Sequence, residues 1–161
     1  MKSVKSILIT GASSGIGTAL ALAYAKEENF LALCGRNAER LDGIAEQCRE
    51  KGARVVTEVL DVTDEIAVSD WMQQIDNQTT LDLVIANAGI AGGDDGAGFG
   101  PAATRKIFRT NIEGVVNTVL PALELMEARG TGQIAIVSSL ASFQGFPGTP
   151  AYAASKAAVR V

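Results

Sequence analysis

The stretch Val4-Lys5-Ser6-Ile7-Leu8-Ile9-Thr10-Gly11-Ala12-Ser13-Ser14-Gly15-Ile16-Gly17 decides the fold. Residues 4–9 form a short, mostly apolar run that reads as a strand, and Ile16, Ala19, Leu20, Ala23 and Tyr24 then repeat at helical spacing. Between them, three glycines mark a strand-to-helix turn. Gly11 allows the tight reversal, Gly15 removes a side chain where another group must approach the backbone, and Gly17 lets the helix pack closely on the strand.

The same rhythm continues outward. Further strands are expected at residues 30–34, 54–59, 81–86 and 133–137. Helices are expected around Leu41, Ile44, Ala45 and Cys48, with Asn37 as N-cap, and around Val68, Trp71, Met72 and Ile75. A single long fourth helix is marked by Ile107, Phe108, Asn111, Ile112, Val115, Val116, Val119 and Leu120. A last helix begins near Tyr152 and runs to Val161. Half of residues 89–100 are glycine, with Asp94 and Asp95 among them, and Pro147 and Pro150 bound another loop. Alternating strands and helices imply an α/β fold: a Rossmann-like, doubly wound parallel sheet in which ligands bind beyond the carboxyl ends of the strands.

Composition narrows the function. At 161 residues, 47% hydrophobic and 5% aromatic, the chain suits one domain whose core is built from aliphatic side chains. A net charge of −4 offers no basic face to nucleic acid. No apolar run approaches the roughly 18 residues needed to span a bilayer, and the run before Thr10 is too short for a signal peptide, so a cytoplasmic protein is expected. Cys34 and Cys48 are not spaced as a metal pair and the chain has no histidine, so no metal site is expected and two buried thiols are.

A glycine turn between a strand and a helix N-terminus presents free N–H groups and a positive dipole end, a natural seat for a pyrophosphate. After the second strand, Cys34-Gly35-Arg36 has glycine where a carboxylate would hold the ribose hydroxyl of NAD, and an arginine available to a 2′-phosphate. NADP is favoured over NAD. Tyr152 and Lys156 stand at i and i+4 on one helix face, and Ser138-Ser139 closes the fifth strand. Asn111 interrupts an apolar helix face and requires a hydrogen-bond partner.

These residues together resemble the short-chain dehydrogenase/reductase family over the whole chain. The TGxxxGxG turn from Thr10 to Gly17, Asp61-Val62, Ala86-Asn87-Ala88-Gly89, Asn111 and Tyr152-x-x-x-Lys156 are similar to its motifs. Its spacing selects Ser139, thirteen residues before Tyr152, over Ser138. The resemblance implies cofactor contacts from Gly11, Ser13, Ser14, Gly15, Ile16, Gly17, Arg36, Asp61, Val62, Asn87, Ala88, Gly89, Tyr152 and Lys156. It implies catalytic roles for Asn111, Ser139, Tyr152 and Lys156 on a small carbonyl or alcohol substrate, and a homo-oligomer when full length. The chemistry is consistent: an ordinary tyrosine, with a pKa near 10, is a poor base at neutral pH, and a Lys⁺ at about 4 Å in an effective dielectric of ~20 supplies about 4 kcal/mol.

Read singly, Asp61 could cap a helix and Asn87 could tie down a loop. The other reading of the whole is a nucleotide-binding module without catalysis. Doubly wound folds continue past a fifth strand, so the C-terminal strands are expected to be missing here, leaving an open sheet edge beside the fifth strand and an isolated chain of marginal stability.

Overall fold

A computed structural model describes residues 4–92, 100–145 and 148–160. Residues 93–99, which include Asp94 and Asp95 of the glycine-rich loop, lie outside the described residues, as do Pro147 and Val161.

Alternation in β1 (Ser6–Thr10) sends Ile7 and Ile9 to one face of the sheet and Leu8 to the other, and all three are fully buried. Strands buried on both faces belong inside a parallel sheet. β1 pairs in parallel with β2 (Phe30–Gly35) on one side and β4 (Leu83–Ala86) on the other. β3 (Arg54–Val59) and β5 (Gln133–Ile136) complete the order β3-β2-β1-β4-β5. The order reverses between β1 and β4, which opens a crevice at their carboxyl ends.

On the Ile7 and Ile9 face, Leu31, Leu33, Leu83 and Ile85 meet Ala21 of α1 (Gly15–Tyr24) and Leu41 and Cys48 of α2 (Ala38–Glu50). On the Leu8 face, Ala32, Cys34 and Val84 meet Val68, Trp71, Met72 and Ile75 of α3 (Glu65–Gln78) and Ala122 and Met126 of α5 (Gly114–Arg129). The doubly wound, three-layer architecture is the one expected. Asn37 caps α2 by accepting from Arg40 N–H at 2.8 Å. Both cysteines are free and buried.

Several boundaries differ from the sequence reading. β4 begins at Leu83, because Leu81 leaves the strand to donate its N–H to Asp76 Oδ1 at 2.8 Å. The fourth helix is not continuous: α4 (Pro101–Phe108) and α5 flank a π-helical turn, Arg109–Glu113. That extra residue rotates Asn111 into complete burial, and such turns concentrate at functional sites. α6 starts at Pro150, where a missing N–H costs nothing, and ends at Ala158 rather than running on. Asp64, not Asp61, caps α3, accepting from Ala67 N–H at 3.0 Å. In β5, Gln133, Ala135 and Ile136 are exposed, so an open edge stands where one was expected. No helix among the described residues is long and apolar enough to cross a membrane.

One ion pair locks the far end of the sheet. Arg129 Nη1 reaches both oxygens of Asp76 at 2.9 Å, its Nε donates to Thr131 O, and its Nη2 to Leu81 O, joining the ends of α3 and α5 to the entry of β4. Replacing Arg129 with methionine strands a largely buried carboxylate and two carbonyls. A loss of about 3 kcal/mol in urea unfolding is expected.

Candidate active site

The turn after β1 and the loop after β4 meet edge to edge. Thr10 Oγ1 accepts from Asn87 N–H (3.1 Å) and Ala88 N–H (3.2 Å), while Asn87 Nδ2 donates to Thr10 O (2.9 Å) and Gly11 O (3.2 Å). A methyl carbon at Gly17 would stand 2.2 Å from Gly11 O and 2.6 Å from Asn87 Nδ2; at Gly11, 2.8 Å from Ala88 Cα. These two glycines are required by close packing. Gly15 differs: its φ is +56° and nothing lies within 4 Å of the corresponding carbon, so its backbone faces open space at the start of α1. A bare helix N-terminus beside an unfilled approach fits a pyrophosphate group.

The turn forms one end of a cleft of about 410 Å³. Gly11, Ser13, Ser14, Gly15 and Ile16 line it on one side; Arg36, Asp61 and Val62 line the end beyond β2 and β3; Asn87, Ala88, Gly89, Tyr152 and Lys156 complete it. Gly17 is buried beneath the turn and Asn111 behind the wall. The lining includes Ser138 and not Ser139. Ser138 Oγ donates to Lys156 O at 2.8 Å, a structural tie, whereas Ser139 Oγ accepts from Ala141 N–H at 3.1 Å at the head of a short 3₁₀ turn, Leu140–Ser142. Arg36 does not stand alone, since its Nη1 lies 3.8 Å from Asp61 Oδ2.

Behind Gly89 lies a buried polar cluster. Asn111 Oδ1 accepts from Ile90 N–H (2.8 Å), and its Nδ2 donates to Ile90 O (2.9 Å) and Ser155 Oγ (3.0 Å). The partners that the buried amide requires are therefore the Ile90 backbone and Ser155. Ser155 Oγ donates onward to Tyr152 O at 2.8 Å, and Lys156 Nζ donates to Val137 O at 2.8 Å. A methyl carbon at Gly89 would be 3.2 Å from Lys156 Nζ and 3.3 Å from Asn111 Oδ1, so the ammonium and the amide oxygen flank this glycine.

Electrostatics follow from burial. Desolvation pulls the Lys156 ammonium below the usual lysine value. Burial also works to raise Asp61, but two hydrogen bonds from Thr63 (3.0 and 2.9 Å), with Arg36 and Arg109 nearby, outweigh it and hold the carboxyl below its usual range. Under the turn, burial pushes the Cys34 thiol up to about 12, an inert group. Among the described residues no cluster of His, Cys, Asp and Glu could hold a metal.

The sequence reading missed Arg40, Ile90 and Ser155. Arg40 lies in the first turn of α2, just past the Asn37 cap, so its nearness in sequence to Arg36 beyond β2 could have found it. Ile90 acts through its backbone, and Ser155 is marked as part of the site by the bond it accepts from Asn111.

The fold and this cleft define a Rossmann-like α/β protein with its site at the strand-order switch. Residues 5–161 match the family model for short chain dehydrogenases, and the chain belongs to the short-chain dehydrogenase/reductase family. It is 36% identical over 156 residues to an uncharacterized oxidoreductase of Myxococcus xanthus, covering 96% of this chain and 62% of that protein. Among solved structures, NAD⁺-bound xylitol dehydrogenase superposes with a TM-score of 0.89 at 30% identity, over 96% of this chain and 60% of that one. ElxO with NADP bound gives 0.85 at 30% identity, over 98% and 64%. The chain thus spans about three-fifths of the length of these relatives.

Two outcomes test the site's packing. Gly17→Ala should destabilise the chain by about 3 kcal/mol, because backbone cannot yield, whereas Gly15→Ala should cost only ~1 kcal/mol for its left-handed φ; thermal melts of both report the difference. Lys156 has a depressed pKa when folded, so between that value and the ordinary 10.5 the unfolded chain binds more protons and stability rises with pH. Lys156→Met should remove that rise and melt no lower than the parent near neutral pH.

Proposed function

We propose that the chain carries the cofactor site and reactive groups of an NADP-dependent oxidoreductase that moves hydride between nicotinamide and a small carbonyl or alcohol substrate. The observation that carries this reading is that one cleft joins a phosphate-fitting glycine turn to Tyr152 and Lys156. The family's oxidoreductase relatives support it, as does Arg36 at the adenosine end. The turn from Gly11 to Gly17 would hold the pyrophosphate, and Asp61, Val62 and Asn87 to Gly89 the adenine side and middle of the cofactor. When bound, NADP supplies the hydride acceptor or, reduced, the donor.

The chain's own groups handle the proton. Tyr152 gives its O–H proton to the substrate oxygen in reduction and, as the phenolate, takes it back in oxidation. Ser139 Oγ accepts from Ala141 N–H, which leaves its own O–H free to donate to that oxygen and stabilise the charge gathering there. Lys156, with one N–H used on Val137 O, keeps two more to direct toward Tyr152 and a ribose. Asn111, fixed on three sides, holds the backbone at Ile90 and so the wall of the cleft beside Lys156.

In the full-length protein, Tyr152→Phe should lower turnover of a carbonyl panel by at least about a thousandfold, within the span that positioned proton transfer contributes, with NADPH binding retained. Turnover that survives the substitution removes the assigned role.

A further inference from the structure

Cofactor choice rests on more than Arg36. A side chain carbon at Gly35 would lie 2.7 Å from Ser13 Oγ and 3.0 Å from Ser13 Cβ, so Ser13 occupies the space that a carboxylate at position 35 would need. A hydroxyl that can donate replaces an anion that repels phosphate. Arg36 is shared with Asp61 across 3.8 Å, both side chains about half exposed, and Asp61 is anchored by its two bonds from Thr63. Arg40 lines the same cleft, is exposed, and its guanidinium has no ion-pair partner among the described residues.

A 2′-phosphate brings a charge of about −1.5 to −2 to this corner. There it meets two cations and one anion. The fixed Asp61 carboxylate offsets much of the field of Arg36 at the phosphate, which leaves Arg40 as the uncommitted charge. Resting on the NADP reading above, we propose that Arg40 is the principal specificity-determining cation for a 2′-phosphorylated dinucleotide. Arg36 is its restrained partner, Ser13 supplies a hydroxyl donor, and Asp61 sets the preference lower than two free arginines would.

Fluorescence titration of NADPH and NADH against this chain measures the preference as a ratio of dissociation constants. Arg40→Gln, a surface change that circular dichroism can check for folding, should lower the ratio about tenfold with NADH affinity unchanged. Arg36→Gln should lower it less. Asp61→Asn should raise it several-fold, even where loss of an adenine contact weakens both cofactors, because an ordinary structural defect moves both affinities together. A ratio unchanged in Arg40→Gln, a larger fall in Arg36→Gln, or no rise in Asp61→Asn overturns the inference while leaving an NADP preference standing. Equal affinities for the two cofactors in the unaltered chain overturn both.

Discussion

Thr10 and Asn87 join the carboxyl ends of β1 and β4 through a dense set of hydrogen bonds. The Thr10 hydroxyl donates to Ile85 O and accepts twice, and Asn87 Nδ2 spends both its hydrogens on the glycine turn. The seam sits where strand order reverses, the one place in the sheet where neighbouring loops diverge and a crevice must form. Without the seam, backbone groups on both loops would be buried unpaired, a cost of about 1–3 kcal/mol each. Gly11 and Gly17 follow from it, since any side chain there would force the two loops apart.

A second set of constraints grows from the first. The loop leaving Asn87 presents Ile90 to Asn111, and Asn111 reaches Ser155, so the helix bearing Tyr152 is indexed to the same loop that indexes the glycine turn. Both ends of the cleft thereby share one reference. The 0% exposure of Asn111 and Ser155 makes the arrangement all-or-none: in a low-dielectric interior a partly satisfied amide is worse than none. Lys156 adds a cost of a different kind. Its ammonium is desolvated with one carbonyl as partner, and a side chain kept charged in such a place at the expense of stability is the mark of a site shaped for chemistry.

Much of this was legible in the residue order. Periodicity located the strands within one or two residues at most ends, because Ile7, Leu8 and Ile9 are buried whichever face they take, and the glycine turn named its own conformation. Asn111 announced that it needed a partner. What was hidden depended on one extra residue in a helix. The π turn at Arg109–Glu113 leaves no pattern that side-chain spacing alone distinguishes from an α-helix, yet it decides which way Asn111 points. The ion pair between Arg36 and Asp61 was hidden for a similar reason: the two residues lie on neighbouring strand ends 25 positions apart, and only the β2–β3 register brings them together.

The two halves of the cleft rest on unequal supports. The glycine turn stands over β1, paired on both sides and covered on both faces, so opening it would disturb the two hydrophobic clusters together. Lys156, with Tyr152 one turn before it, is tied to Val137 just past β5, which among the described residues is paired with β4 alone and is exposed along most of its length. The apolar side chains that α6 buries are small, Ala151 and Ala153, and beside them it is held by polar ties: Ser138 to Lys156 O, Lys156 to Val137 O, and Asn111 to Ser155. Hydrogen bonds are directional but contribute only about 1 kcal/mol net each, against roughly 1.5–3 kcal/mol for each large apolar side chain fully buried. Local opening should therefore begin at α6 and β5, and the Asn111–Ile90 contact marks the boundary between the firmly held binding end and the more loosely held reactive end.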